Sequence, residues 1–403
     1  MPLDHSVIRD ARRIVVKVGS SSLTKPGGGL DGYRLQALAN LLAKKALAGT
    51  QVVLVSSGAI AAGMVPLGLT RRPKDLATQQ AAASTGMGAL MTAYTRVFTL
   101  HGVQVGQVLL TADDMHRRSH YVNASRTLER LLELEVVPII NENDTVATDE
   151  IRFGDNDRLA SLVAHLVDAD ALVLLSDVDA LYTGHPSQPG SRRIPVVRGP
   201  GDLVGVDVSR VGSAVGTGGM QTKLAAARLA VAEGIPVLLT SVGQAGQALA
   251  GEDVGTLFTP IGTKSPARRR WLAHASHVSG RVVLDDGAVE AVVRRQTSLL
   301  PVGITRVEGR FIAGDTVDLV DGAGAVVARG LVGYDAEELR PLAGQRLQRD
   351  ARLRSGAPAS RPVVRRDDLV VLWPGARRLP NSPSTDPAAD LPLTHELEHR
   401  REH

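Results

Sequence analysis

The 403-residue chain contains no cysteine, which excludes disulfide frameworks, thiolate nucleophiles and zinc sites built on sulfur. Aromatic residues make up only 3%, so aliphatic side chains must fill the core. No apolar run approaches the roughly 18 residues a membrane span needs, and the opening MPLDHSVIRDARR has no apolar leader segment. No membrane partner is therefore expected, and a cytoplasmic location is. The 11 histidines form no pair with ligand spacing inside a strand-end motif, and no GxSxG elbow occurs, so acid–base relay and serine hydrolase chemistry lack their central residues. The glycine-rich segment from Val215 to Lys223 matches neither GxxxxGK[ST] nor GxGxxG, so it is not a Walker A loop and gives a dinucleotide fold little support.

Net charge is only +4, but its distribution is uneven. Residues 1–260 hold 24 basic against 24 acidic side chains, whereas 261–403 hold 22 against 18. In that last third Lys264 is the single lysine and the rest are arginine. Arginine forks suit phosphate, so an RNA-binding function is the alternative of a different class. Against it stand the few aromatics of residues 261–373, Trp271, Phe311, Tyr334 and Trp373, which leave little for bases to stack on.

What is abundant is patterned. The runs Ile14 to Val18, Val52 to Val55, Val103 to Leu110, Val136 to Ile140, Leu172 to Leu175 and Val237 to Leu239 are rich in Val, Ile and Leu and are not polar at alternate positions, as expected of strands buried on both faces. Between them, Tyr33 to Ala48, Asn123 to Leu134 and Lys223 to Glu233 carry helical periodicity, the first closed by Gly49 and the last by Gly234. The alternation predicts an α/β unit with an open, mostly parallel sheet and helices on both faces. From about residue 275 the pattern changes to short alternating runs, Ser279 to Asp285, Thr316 to Val320 and Val326 to Leu331, separated by Asp-Gly turns, which predicts a small β-rich, barrel-like unit. The organisation expected is a catalytic domain over 1–260, a linker over 261–276 containing Pro266, a β-rich domain over 277–372, and a disordered Pro- and charge-rich tail over 373–403.

In such a sheet ligands bind beyond the carboxyl ends of the strands, and four expected strands end in polar residues: Lys17-Val18-Gly19-Ser20, Ser56-Ser57-Gly58, Asn141-Glu142-Asn143-Asp144 and Ser176-Asp177. A lysine followed by small residues can offer a cation and free amides to a phosphate, which makes Lys17 and Gly19 candidates for the transferred group. The segment Thr217-Gly218-Gly219-Met220-Gln221-Thr222-Lys223 opens a helix with a lysine in its first turn, where a cation is disfavoured unless an anion such as a polyphosphate sits there. Asp155-Asn156-Asp157 begins another helix; these residues read as caps, as holders of ammonium groups, or as Mg²⁺ ligands.

The ordered segments VVKVGSSSL, VSSGAIAAG, VVPIINENDTVAT, FGDNDRLASLVA, LLSDVDALYT and GTGGMQTK resemble the amino acid kinase family, in particular its glutamate-phosphorylating members. Residues 277–372 are similar to a PUA domain through TSLLPVGI and VVRRDDLVVL. The resemblance implies ATP-dependent phosphorylation of the L-glutamate side chain to L-glutamyl 5-phosphate, the first step of proline biosynthesis, with Mg²⁺. Carried over by position, it gives Lys17 and Lys223 the transferring phosphoryl group and Asp157 the orientation of both lysines. Ser57, Asn141, Asp144 and Asn156 would hold glutamate, Asp144 facing its α-ammonium. Lys17, Gly19, Ser176, Asp177 and Thr217, Gly218, Gly219, Met220, Gln221, Thr222 and Lys223 would contact the nucleotide. It further implies a homotetramer, inhibition by proline, and a functional link to glutamyl phosphate reductase. Other members, acting on aspartate, acetylglutamate, carbamate or nucleoside monophosphates, share the sheet and the lysines.

Overall fold

The computed structural model describes residues 4–25, 29–146, 156–184, 188, 190–204, 206, 219–261, 271–275, 278–345 and 362–372. The expected tail, 373–403, lies outside them. Eight strands form the first sheet: β1 (Arg13–Val18), β2 (Gln51–Val55), β3 (Gln104–Leu110), β4 (Val136–Glu142), β5 (Ala171–Ser176), β6 (Val196–Val197), β7 (Val237–Ser241) and β8 (Thr256–Phe258). Their order is β3-β4-β2-β1-β5-β7-β8-β6. All pairs are parallel except β7 with β8.

Alternation along the buried strands divides the core into two layers. Val15, Val53 and Leu172 face helices Arg118–Glu133, Asn156–Leu166 and Met220–Ala232. Ile14, Val16 and Leu54 face helices Gly32–Leu47, Leu76–Leu100 and Ala245–Ala250. Local signals set the helix starts: Asp31 caps the Arg34 N–H at 3.1 Å, and Asp75 caps the Thr78 N–H at 2.8 Å. The helices Ala59–Met64 and Leu76–Leu100 approach backbone to backbone, because Gly63 and Gly86 offer no side chain. A Cβ at Gly86 would lie 1.8 Å from the Ala59 carbonyl oxygen.

The expected runs all appear as strands of this sheet, but β3, expected to be buried on both faces, is the edge strand and only Leu110 of it is buried, and two strands were not anticipated. β6 and β8 have only two and three residues, too few to register as a periodic run. The expected helix Asn123 to Leu134 begins earlier, at Arg118, because Tyr121 turns inward and is buried.

A second sheet contains β9 (Val278–Leu284), β10 (Ile304–Gly309), β11 (Thr316–Val320), β12 (Val326–Val332) and β13 (Val364–Val371) in the order β10-β9-β11-β12-β13. It has its own core, including Val282, Leu319, Val327 and Leu339. Part of the expected linker is packed: residues Trp271–Ala275 form one helical turn, and Trp271 and Leu272 are buried in the core of the first unit. Among the described residues no helix is long and apolar enough to cross a membrane.

Candidate active site

The four polar strand ends belong to β1, β2, β4 and β5, which are consecutive in the sheet in the order β4-β2-β1-β5. Because these strands are mutually parallel, their carboxyl ends share one edge. The chain leaves β1 toward β2 on one side and later returns to place β5 on the other, so Lys17 stands at the point where the order reverses, the usual ligand position in open α/β sheets.

Two helices complete the site. Asp157 is the second residue of helix Asn156–Leu166, and Lys223 lies in the first turn of helix Met220–Ala232. The two helices are locked side by side by the Ser161 hydroxyl, which donates to the Ala226 carbonyl at 2.8 Å. Asp157 is fully buried, and its carboxylate holds both lysines: one oxygen pairs with the Lys17 ammonium, and the other accepts from Lys223 Nζ at 3.1 Å. Thr222 Oγ1 lies 3.4 Å from the same oxygen as Lys223 and donates to the Gly219 carbonyl at 2.8 Å. A carboxylate that joins two ammonium groups holds both close together, where they can face one negatively charged group.

Beside this group lies a second one made of neutral residues. The Asn156 side-chain amide reaches Asn141 Oδ1 at 2.8 Å, Ser57 Oγ at 2.9 Å and the Ser56 carbonyl at 2.8 Å. The polarity of these bonds matters more than their number. The two amide protons of Asn156 are shared among these three acceptors, so the Asn141 N–H₂ and the Ser57 hydroxyl proton point away from Asn156. Donors so left beside the positive end of a helix suit a carboxylate. Gly58, at φ 99°, makes the left-handed turn that brings Ser57 here. Asp144, half-buried, follows two residues after β4.

The residues expected to contact the nucleotide divide. Gly19 sits just beyond β1, its N–H donating to the Leu175 carbonyl at 3.3 Å. The Ser176 hydroxyl donates to Asp177 Oδ1 at 2.9 Å, and Asp177 is exposed. Gly219 caps the helix, Gln221 is exposed, and the Met220 side chain is buried in the core, so any nucleotide contact by Met220 must come from its backbone. Thr217, Gly218 and Asp155 lie outside the described residues. Sequence reasoning missed the pairing of Ser56 with Tyr94: their hydroxyls are 3.1 Å apart, both residues are fully buried, and Ser56 immediately precedes Ser57. Burial raises the Tyr94 phenol well above its ordinary value, so it stays protonated and able to donate. No sequence signal links two positions 38 residues apart on a strand end and a helix. A cavity of about 430 Å³ opens at the opposite, amino-terminal edge of the sheet, lined by Gln51, Val103 and Val136 among others, and touches none of the site residues.

A parallel sheet whose reversal point carries two lysines on one buried carboxylate is the arrangement of a phosphoryl transferase. Residues 12–241 match the model of the amino acid kinase family, and residues 280–350 match that of the PUA domain; the chain belongs to the amino acid kinase family. Within it, the chain is similar to the glutamate 5-kinase of Streptomyces coelicolor, 62% identical over 371 residues that cover 92% of this chain and 99% of that protein. It is 60% identical to the glutamate 5-kinase of Streptomyces avermitilis over 369 residues, 91% of this chain and 98% of that protein. The glutamate 5-kinase of Thermobifida fusca is 59% identical over 371 residues, 92% of this chain and 95% of that protein.

Proposed function

We propose that the protein transfers the γ-phosphoryl group of ATP to the side-chain carboxylate of L-glutamate, giving ADP and L-glutamyl 5-phosphate, the first step of proline biosynthesis. The observation that carries this reading is the adjacency of two groups: the neutral polar set of Asn156, Asn141 and Ser57, suited to a carboxylate, and Lys17–Asp157–Lys223, suited to a phosphoryl group. Similarity to glutamate 5-kinases along nearly the full chain supports the same reaction.

The chemistry needs little from the protein beyond position and charge. A glutamate carboxylate has an unperturbed pKa of about 4.3 and is already ionised at neutral pH, so no general base is required. One of its oxygens attacks the γ-phosphorus in line; the bond to the β-phosphate oxygen breaks, and its electron pair leaves with ADP. Charge spreads over the equatorial oxygens, where Lys17 and Lys223 stabilise it. Asp157 keeps the two ammonium groups aimed there. Ser57, Asn141 and Asn156 orient the substrate, and Asp144 pairs with its α-ammonium. Gly19, Ser176, Asp177, Gly219, Gln221 and Thr222, with the backbone of Met220 and with Thr217 and Gly218, bind the nucleotide. Among the described residues no cluster of three His, Asp or Glu could hold a metal, and Asp157 is occupied by ammonium groups. Mg²⁺ therefore fits here as a companion of the nucleotide phosphates, neutralising their charge.

The rest of the reading follows the family resemblance: a cytoplasmic homotetramer, inhibited by proline and feeding glutamyl phosphate reductase, with domains over 1–260 and 277–372. The alternative, RNA recognition, is weakened by burial of Trp271, Phe311 and Tyr334, which removes those rings as stacking platforms. The test is purified protein with MgATP, a panel of amino acids and hydroxylamine to trap acyl phosphate. Hydroxamate from glutamate alone is expected. Hydroxamate from aspartate instead, or none from any amino acid, would overturn the proposal.

A further inference from the structure

The segment that joins the two sheets is built into the first one. Trp271 is buried in the same core as Met115, Tyr121 and Leu128, and its indole N–H donates to the Met115 carbonyl at 3.0 Å. Met115 is itself fully buried and is the penultimate residue of the short helix Ala112–His116. Its carbonyl has no partner within that helix and, out of reach of water, requires a donor from elsewhere. The Arg118 guanidinium lies over two rings, 5.3 Å from the centre of Trp271 and 5.9 Å from that of Tyr121. From the other side, the second sheet grips the same turn: Arg329 donates to the Ala273 carbonyl at 3.2 Å, is itself held by Asp318 at 2.7 Å, and Leu331 and Val370 pack against this core.

Helix Ala112–His116 is not a remote element. It begins immediately after β3, with Thr111 and Asp114 forming a reciprocal cap. β3 is the edge strand beside β4, with Leu109 opposite Asn141 and Leu110 opposite Glu142. The Asn143 N–H donates to the Leu110 carbonyl at 2.9 Å. On the other flank, the β2–β4 ladder ends at Ile140, whose carbonyl receives the Ser56 N–H at 2.8 Å. Beyond Ile140, the backbone of the Asn141–Asp144 segment is therefore braced laterally by the end of β3, and the end of β3 is closed by the helix that Trp271 covers.

We infer that Trp271 is a positioning residue for the acceptor-binding segment Asn141–Asp144, supplied from outside the kinase sheet and anchored by the C-terminal β unit. The inference rests on the reading of that segment as the glutamate site. Trp271 touches neither substrate; it holds Met115, which holds the end of β3, which sets where Asn141 and Asp144 stand. The C-terminal unit thereby acts on acceptor binding through packing, without lending a residue to the chemistry.

The experiment uses the full chain with Trp271→Ala and with Trp271→Phe, which keeps an aromatic ring beside Arg118 but removes the N–H. Steady-state kinetics for glutamate and ATP are combined with amide hydrogen exchange over residues 110–116 and 141–146, and melting reports folding. In Trp271→Ala the glutamate KM is expected to rise roughly fivefold to tenfold, as for loss of a buried hydrogen bond with its packing. The ATP KM and kcat should stay within about twofold, exchange should quicken in both segments, and Trp271→Phe should fall in between. Faster exchange at 110–116 with none at 141–146, or equal losses for both substrates, would overturn the coupling. Faster exchange in both segments with an unchanged glutamate KM would uphold the mechanical link and refute the glutamate assignment on which it rests.

Discussion

Two substitutions in the charged trio should move stability and catalysis in different combinations. Asp157 is fully buried and holds Lys17 and Lys223, both of which are almost inaccessible. Asp157→Asn keeps the shape but withdraws the shared negative charge, leaving two ammonium groups close together in a low-dielectric site. Removing one partner of a buried ion pair costs about 3–5 kcal/mol, which lowers the melting temperature by roughly 6–20 °C for a unit of this size. Lys223→Met removes one ammonium and leaves Asp157 paired with Lys17, so the melting temperature should change far less. For catalysis both variants should fail. Loss of a preorganised cation facing developing charge costs about 100-fold or more in kcat, or about 2.7 kcal/mol of barrier. Melting without nucleotide and hydroxamate formation from glutamate measure the two effects separately. ATP should recover part of the stability lost in Asp157→Asn, since the phosphates replace the missing anion. An Asp157→Asn protein that melts with the wild type, or a Lys223→Met protein with near-normal kcat and only a raised ATP KM, would refute the account of the trio.

Further outcomes test other parts of the structure. Asp144→Asn should raise the glutamate KM by tenfold or more, roughly the scale of a lost buried charge pair, while the ATP KM holds; equal losses for both would count against its pairing with the α-ammonium. Gly86→Ala should cost at least the roughly 1–3 kcal/mol of overpacking, because its Cβ would meet the Ala59 carbonyl oxygen at 1.8 Å. Gly88→Ala on the same helix, with nothing within 4 Å, should stabilise by up to about 1 kcal/mol; chemical denaturation compares them. Partial burial opposes ionisation of Asp114, but bonds from His120 and Thr111 outweigh it and hold its carboxyl below the ordinary value of 3.8. Its contribution is therefore complete above that value and fades as pH falls through the lower folded-state value. The melting difference between wild type and Asp114→Asn should shrink on going from about pH 6 to about pH 3. A chain ending at Thr259 loses Trp271 and should bind glutamate more weakly than one ending at Ala275, as titration of each would show.

The sequence by itself determined where the longer strands of the first sheet run and that four of them end in polar residues. These are local properties: Val- and Ile-rich runs, the spacing of leucines, and caps such as Asp31 and Asp75 act within a few residues. Lys17, Asp157 and Lys223 were legible for the same reason, since each stands at a strand or helix end beside glycine or short polar residues. The tertiary structure decided what these ends face. The order β4-β2-β1-β5 is set by long-range pairing, and nothing local specifies that Lys17 and Lys223 meet on one carboxylate. Tyr94 beneath Ser56 and Trp271 against Met115 were illegible because each is an ordinary buried aromatic whose partner lies on another element. The short strands β6 and β8 depend on an existing sheet edge for their hydrogen bonds, so their sequence carries too little pattern to announce them.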